Sequence, residues 1–318
     1  MVFKKLWKNK MKVIITGGAG FIGGHAVQHF VECGDDVINI DKLTYAANVS
    51  RTKVCRFVQS DIRDVSSLDS VVKDFSPDFI INFAAETHVD NSIKNSKVFI
   101  ESNLEGAAAL MDVSVKNGIP LCHISTDEVY GPAGIHPFNE SDQLCPMNPY
   151  SATKAAADLM LKSYRNTHGL NYLIVRPSNN YGPGQHQEKF IPKLIDSIRY
   201  KKLFPLYGTG NQEREWTYVT DTVSVIRKLI MSAEVKWNND SIYNVSSGIS
   251  LKNIEAVRII INEYNNKNMT SYNTTDIINH VDDRPGHDKK YWISSDKLQR
   301  LLNYEFIKFK DGIKSCGL

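Results

Sequence analysis

The 318-residue chain has no continuous apolar run approaching the roughly 18 residues that a membrane-crossing helix needs, so no such helix is expected. It has little excess charge. A formal net charge of +3, with Lys and Arg scattered among Asp and Glu, offers no basic face for nucleic acid or for an anionic membrane. CxxC pairs are absent, and the five cysteines (Cys33, Cys55, Cys122, Cys145, Cys316) are odd in number and widely spaced. This argues against a disulfide framework and structural zinc, and no His, Cys or carboxylate cluster has metal-ligand spacing. A reducing, cytoplasmic setting without a metal is the expectation. Internal repeats are missing as well, and the polar stretch 262–276 reads as a surface connection. The one basic cluster, MVFKKLWKNK, lacks the apolar core of a secretory signal, so residues 1–10 read as an extension before a domain that begins at Met11.

What is present is an ordinary globular balance, 42% hydrophobic and 23% charged, organised as alternating runs. KVIIT (12–16), DVINI running into Asp41, RFVQS before Asp61, FIINFAA to Ala85, PLCHIST to Thr126 and NYLIVRP to Pro177 are short, apolar and rich in β-formers. Helical spacing separates them, from the glycines to about Cys33 and over 66–75, 97–116 and 149–168. The alternation predicts an α/β fold, a doubly wound parallel sheet of the Rossmann type over residues 11–177. After Pro177 the pattern breaks. Asn, Gly and Pro cluster in PSNNYGPGQ, YGTGNQ and DDRPGH, which predicts a smaller C-terminal lobe over 178–318, with segments near 216–222 and 242–247 returning to the main domain.

TGGAGFIGG follows the first strand and opens the first helix, with Gly17, Gly20 and Gly23 in G-x-x-G-x-x-G spacing. A turn without side chains brings backbone N–H groups at a helix N-terminus against a pyrophosphate. Asp41 closes the second strand about 20 residues on, where a carboxylate holds the ribose hydroxyls of NAD and repels the extra phosphate of NADP. Phe21 and Ile22 in the turn, Lys42 beside Asp41, Asp61 and Ile62 after the third strand, and Ala84 and Ala85 after the fourth complete the expected cofactor contacts. Asp61 is suited to the adenine amino group.

YSATK places Tyr150 and Lys154 one helical turn apart on one face. A tyrosine is a weak base at neutral pH, but a lysine ammonium and a cationic nicotinamide nearby favour its phenolate. HISTDEVYG then sets Thr126, Asp127 and Glu128 at the end of an apolar strand. An elimination needs one carboxyl protonated and another ionised at the same pH, and two environments at one strand end can separate their pKa values.

These features resemble the extended short-chain dehydrogenase/reductase superfamily. Within it, DKLTYAAN, AAETHVDNSI, ISTDEVYG, NPYSATKAAAD, SNNYGP, EKFIPK, REWTYV and DDRPGHDKKY are similar to the nucleoside-diphosphate-glucose 4,6-dehydratases, over about 11–302. The resemblance implies a lyase with bound NAD that is recycled in each turnover, an early step of rhamnose or other deoxysugar synthesis. It implies that Tyr150, assisted by Thr126 and Lys154, takes the C4 hydroxyl proton as hydride leaves C4. Glu128 then removes the C5 proton, Asp127 protonates the departing C6 hydroxyl, and hydride and proton return to C6 and C5. By the same resemblance Arg214, Arg284 and His287 face the diphosphate or nucleotide, Asn180, Glu188, Lys189 and Asn244 position the sugar and diphosphate, and His88 lies near the sugar. Relatives dimerise through a four-helix interface, for which the candidates are 97–116 and 149–168, so a homodimer is expected.

UDP-glucose and dTDP-glucose are both candidate substrates; VRPSNNYGP resembles the UDP-using type. The connection 41–57 is shorter than usual in the family, and relatives continue beyond the position of Leu318. Abundant Asn, Lys and Ile suggest an AT-rich genome, and the chain resembles the dehydratase of a large DNA virus, which would set it in the host cytoplasm. Two other readings share these residues. A UDP-sugar C4 epimerase uses the same fold, NAD, Tyr150 and Lys154 but has no elimination for Asp127 and Glu128 to serve. A non-catalytic NAD-binding regulator would need none of the five.

Overall fold

The computed structural model describes residues 10–283 and 288–318. Its first strands are the β-branched runs of the sequence: β1 (Lys12–Thr16), β2 (Asp36–Asp41), β3 (Arg56–Gln59), β4 (Phe79–Asn82), β5 (Leu121–Ile124) and β6 (Tyr172–Pro177). Beyond them lie β7 (Asn179–Tyr181), β8 (Phe204–Tyr207), β9 (Glu213–Tyr218), β10 (Ile242–Val245), β11 (Ser250–Lys252) and β12 (Ile278–Val281). The main sheet has seven parallel strands in the order β10-β6-β5-β4-β1-β2-β3. β4, β5 and β6 are buried at every position, because helices cover both faces of the sheet.

Side chains alternate between those faces. Val13 and Ile15 of β1 pack with Phe79, Cys122 and Leu173 beneath α1 (Phe21–Glu32), while Ile14 joins Ile38, Ile80 and Leu121 on the opposite face. That second face is covered by α2 (Val65–Phe75), which carries Leu68 and Val72 into the same core. The chain then forms α3 (Val89–Lys94) and a long helix in three parts: α4 (Ser96–Phe99), a π-helical turn (Ile100–Glu105) and α5 (Gly106–Asn117). Helical spacing over 97–116 predicts one regular helix. The wide turn interrupts it and carries Asn103 inward, where its amide exchanges hydrogen bonds with the Glu86 backbone (2.8 and 3.0 Å) and donates to Thr153 Oγ1 (3.0 Å). α6 (Pro149–His168) starts on a capping box between Asn148 and Ser151 with Pro149 in the first turn.

After β6 the chain builds a three-stranded sheet, β11-β9-β7, and a two-stranded one, β12-β8. They pack with α7 (Phe190–Arg199) and α9 (Asn253–Asn268) around a separate core that includes Leu194, Trp216 and Ile260. Between those helices, α8 (Val219–Met231) returns to lie beside α1, and β10 extends the main sheet along β6.

Strand order reverses between β1 and β4, so the chain leaves these two strands toward opposite edges and a crevice opens at their carboxyl ends. The apolar runs continue past the ladders, to Ala85 and Thr126, but β4 ends at Asn82 and β5 at Ile124. Residues 83–85 and 125–128 leave the sheet and line the crevice.

Behind the β5 end lies a buried ion pair. Arg176 Nε of β6 meets Asp158 Oδ2 of α6 at 2.9 Å, both side chains inaccessible to solvent, and Arg176 Nη1 donates to Tyr130 Oη at 2.6 Å. Removing one partner leaves the other charge uncompensated in the interior. Asp158→Ala is expected to lower stability by about 3–5 kcal/mol, read from urea unfolding midpoints; an unchanged midpoint would show that the pair is not holding α6 to the sheet.

Candidate active site

The cofactor end of the crevice is built from backbone. Gly17 has φ +72°, and a Cβ there would lie 2.5 Å from Ala84 N, so glycine alone lets the β1 exit pass the β4 exit. Gly17 N donates to Ile40 O (2.8 Å) and its carbonyl accepts from Gly20 N (3.0 Å). A Cβ on Gly23 would overlap that carbonyl. No side chain caps α1 at Gly20, and Gly20, Phe21, Ile22 and Gly23 line the crevice, an uncapped helix start of the kind that attracts an anion. Asp41 accepts from Ala19 N (3.0 Å) and Leu43 N (2.8 Å), which fixes its carboxylate at the β2 end. With Lys42, Ser60, Ile62, Ala84 and Ala85 it lines one pocket, and Lys42 closes the side by donating to Ser102 Oγ (3.0 Å).

A cavity of about 450 Å³ continues past Phe21, Ile22 and Gly23 to Thr126, Asp127, Glu128, Tyr150 and Lys154. Thr126 caps a 3₁₀ turn, Asp127–Tyr130, accepting from Glu128 N (3.3 Å) and donating to Asp127 Oδ1 (3.2 Å). Asp127 is only 2% exposed. Burial, then the neighbouring Glu128 and Glu215, push its carboxyl well above the usual range against the Thr126 bond and Arg214, which favours the protonated acid. Burial also pushes Glu215 up to about 7. Glu128 stays at the crevice surface, its Oε2 accepting from Asn148 Nδ2 (3.2 Å) with the Tyr291 hydroxyl 3.3 Å away.

Tyr150 is raised by burial and by the Glu128 charge, with Thr126 opposing through a hydrogen bond. Lys154 is pushed down to about 8 by burial, with Asp158 opposing. Its Nζ donates to Ile124 O, at 2.6 Å. Within the protein alone the tyrosine is therefore held as a phenol, and a positive charge in the crevice is required to draw its proton off.

The crevice widens into a second cavity of about 470 Å³ against the C-terminal lobe. His88, Asn180, Glu188, Lys189 and Arg214 all line it, and Glu128, Asn180, Glu188 and Lys189 border both cavities. Glu188 sits 3.7 Å from His88 Nε2, Lys189 Nζ donates to Thr87 O (3.2 Å), and Arg214 donates to Asp288 O (3.0 Å) while its guanidinium lies 4.4 Å from the Tyr291 ring centre. The sequence family described as GDP-mannose 4,6 dehydratase matches residues 14–316. This chain belongs to that family.

The low-salt glycan biosynthesis protein Agl12 of Haloferax volcanii is 40% identical to this dehydratase-family chain, over 96% of it and 97% of the relative. The dTDP-glucose 4,6-dehydratase of Salmonella typhimurium is 36% identical, over 96% and 91%. Among solved structures, DesIV, a dTDP-glucose 4,6-dehydratase of Streptomyces venezuelae solved with NAD and TYD bound, superposes with a TM-score of 0.88 at 36% identity, covering 96% of this chain and 95% of that one.

Some residues of this family member fall elsewhere than the sequence suggests. Asn244 does not reach the sugar cavity: it is fully buried, accepts from Tyr130 Oη (2.8 Å) and donates to Phe138 O (3.1 Å) and Ser294 O (3.2 Å), so its polar atoms are committed to packing. Asp61, between Ser60 and Ile62 of the Asp41 pocket, accepts from Arg63 (3.0 Å) and lies 3.8 Å from Lys42 Nζ. Arg284 and His287 lie outside the described residues. Sequence reasoning passed over Arg51, which bridges the carbonyls of Gly20 and Gly184 across the crevice, and Tyr291, beside Glu128. Arg51 gave no signal because its partners are 31 and 133 residues away. Tyr291 closes DDRPGHDKKY, but nothing local marks its hydroxyl.

Gly17→Ala puts a methyl into the β4 backbone and strains a left-handed residue. The purified variant is expected to lose bound dinucleotide, measured by mass spectrometry of the released cofactor; full retention would disprove the close approach of Gly17 and Ala84.

Proposed function

We propose that this chain holds NAD in the crevice between β1 and β4 and removes water from a nucleoside-diphosphate-glucose to give the 4-keto-6-deoxy sugar nucleotide. The observation that carries this reading is the pairing of Asp127, buried where its acid form is favoured, with Glu128 at the crevice surface. The glycine cradle with no room for a Cβ and the open α1 N-terminus fit a pyrophosphate, and the Asp41 carboxylate fits ribose hydroxyls. Gly17, Gly20, Phe21, Ile22, Gly23, Asp41, Lys42, Ile62, Ala84 and Ala85 would hold the dinucleotide, with Tyr150 and Lys154 at its reactive end. NAD supplies a reversible store for one hydride.

The protein's own groups handle the protons. Tyr150 takes the proton of the C4 hydroxyl, with Thr126 sharing that oxygen and Lys154 at its side. Once C4 is a ketone, the C5 proton is acidic and Glu128 removes it. Asp127 gives its proton to the C6 oxygen, which leaves as water; Glu128 finally returns a proton to C5. Burial matters here because it keeps Asp127 loaded as a donor where an exposed aspartate is ionised. A C4 epimerase has no use for that donor. His88, Asn180, Glu188, Lys189 and Arg214 are proposed to seat the sugar and diphosphate. The lobe that carries most of them is proposed to act as a substrate domain.

A homodimer through α4–α5 and α6 is also proposed, supported by Val98, Ile100 and Leu159, apolar residues 37%, 42% and 56% exposed on those segments. No helix among the described residues is long and apolar enough to cross a membrane, and the five cysteines are unpaired, which suits the proposed cytoplasmic setting.

The test is mass spectrometry of the NAD-loaded protein with UDP-glucose and dTDP-glucose in parallel. Loss of one water from at least one is expected. Thymine and uracil differ by a methyl group, for which a pocket discriminates by about 1–3 kcal/mol, so one substrate is expected to be preferred rather than exclusive. Conversion without mass change would point to the epimerase, and no conversion of either would sink the enzymatic reading. Glu128→Gln is expected to slow water loss by about 10²–10⁴-fold; normal water loss in that variant would remove Glu128 from its assigned role.

A further inference from the structure

A buried polar chain runs through the centre of the sheet to Lys154. Thr16 Oγ1 of β1 donates to Asn82 Oδ1 of β4 (2.7 Å), and Ala84 N donates to the same oxygen (3.1 Å). A backbone N–H can only donate, so the Asn82 carbonyl oxygen faces Thr16 and Ala84, and its NH₂ faces the other way. There it lies 3.1 Å from His123 Nδ1 of β5. That ring nitrogen must offer a lone pair. His123 is 1% exposed, and burial, the largest influence on it, pushes its pKa well below the usual value, which favours the neutral ring. A neutral imidazole with a bare Nδ1 carries its proton on Nε2. Nε2 is 3.3 Å from Lys154 Nζ.

An ammonium at that distance sets a donor against a donor, whereas a neutral amine accepts from Nε2–H and still donates to Ile124 O at 2.6 Å. We propose that His123 is a positioning residue that, with its tautomer fixed by Asn82, donates to the Lys154 amine and holds that lysine ready to accept a proton rather than locked as an ammonium. The surrounding groups leave His123 this influence. On α6, Tyr150 and Asp158 stand one turn either side of Lys154, and Asp158 is engaged by Arg176 (2.9 Å) and Ser125 Oγ (3.0 Å). Asp127 and Glu128 line the same crevice beyond β5, while Thr16 of β1 and Asn82 of β4, behind His123, are uncharged. Burial already brings Lys154 down to about 8, so a donor facing it acts on a group poised near neutral pH.

The inference rests on the reading of Tyr150 and Lys154 as the proton-handling pair. The pair gives up its first proton from Lys154, and the pair lacking that proton is the competent base. The acid-side limb of kcat/KM therefore follows Lys154. His123→Phe deletes the donor at similar volume. Asn82→Asp sets an acceptor against Nδ1, which draws the ring proton there and leaves Nε2 to accept from an ammonium. Both changes favour the charged lysine and move the limb to higher pH.

The experiment measures the pH dependence of kcat/KM for water loss by the NAD-loaded wild type and both variants. It is joined by ¹⁵N NMR of His123 and by Lys154 Cε NMR titration, which need no turnover. A limb displaced upward by about one pH unit is expected, a tenfold lower rate on the acid side that recovers at alkaline pH, with wild-type His123 protonated at Nε2. A uniform loss at all pH values, an unmoved limb and Lys154 titration in both variants, or a wild-type Nδ1–H tautomer would each overturn the proposal. If the wild type removes water from neither sugar nucleotide, it is the reading of the pair that fails, and the NMR result then decides the His123 contact alone.

Discussion

The site depends on how closely two strand ends approach. β1 and β4 are neighbours whose connections diverge, and their last residues, Thr16 and Asn82, stand in register with a side-chain hydrogen bond of 2.7 Å between them. Beyond that pair the two backbones leave the sheet almost in contact, which excludes any side chain at position 17. The same approach aims the start of α1 into the crevice and brings residues 83–85 alongside it. Because β5 is the next strand over from β4, Thr126, Asp127 and Glu128 emerge at the same level as the glycine turn. A small shift between β1 and β4 would thus disturb an anion cradle and a proton-transfer cluster together.

Polar groups behind the crevice make that level rigid. Asp158 accepts from Arg176 and Ser125, Arg176 reaches Tyr130, and Tyr130 donates to Asn244. These residues come from α6, from β6, from the turn after β5 and from β10, so one network ties the helix bearing Tyr150 and Lys154 to the strand end bearing the carboxyls. A buried pair of this kind adds little net stability over an apolar replacement of similar volume. Its usefulness lies in direction: the Ser125, Arg176 and Tyr130 contacts form together only in one geometry, which holds α6 against the turn after β5.

This explains what the sequence made legible. β1, the first helix, α6 and the place of Asp41 were readable because each is a local pattern: an apolar run, a glycine turn, helical spacing, a carboxylate at a strand end. The family resemblance added roles for Thr126, Asp127 and Glu128 that spacing alone leaves open. Asn244 misled because an asparagine at the end of an apolar run looks the same whether it faces a ligand or a neighbouring carbonyl, and only β10 packing decides. The π-helical turn escaped for the opposite reason, since 97–116 has good helical spacing and the interruption serves Asn103, whose partners Glu86 and Thr153 are remote in sequence. Arg51 and His123 were likewise visible as residues but not as contacts.

Burial acts on the crevice groups in one direction and their neighbours separate them. Asp127 and Tyr150 are both driven toward their neutral forms by desolvation, and Lys154 toward its amine. The low dielectric that raises Tyr150 also strengthens the pull of any positive charge placed near it. Asp127 is raised further by Glu128 and Glu215, and Tyr150 by Glu128 and Asp127, so a cation beside Tyr150 opposes the charges that hold its proton. Binding a cationic ring there would therefore favour the phenolate of Tyr150. With burial favouring the acid form of Asp127, the crevice would then offer a base and an acid together, the division of labour that the proposed elimination requires.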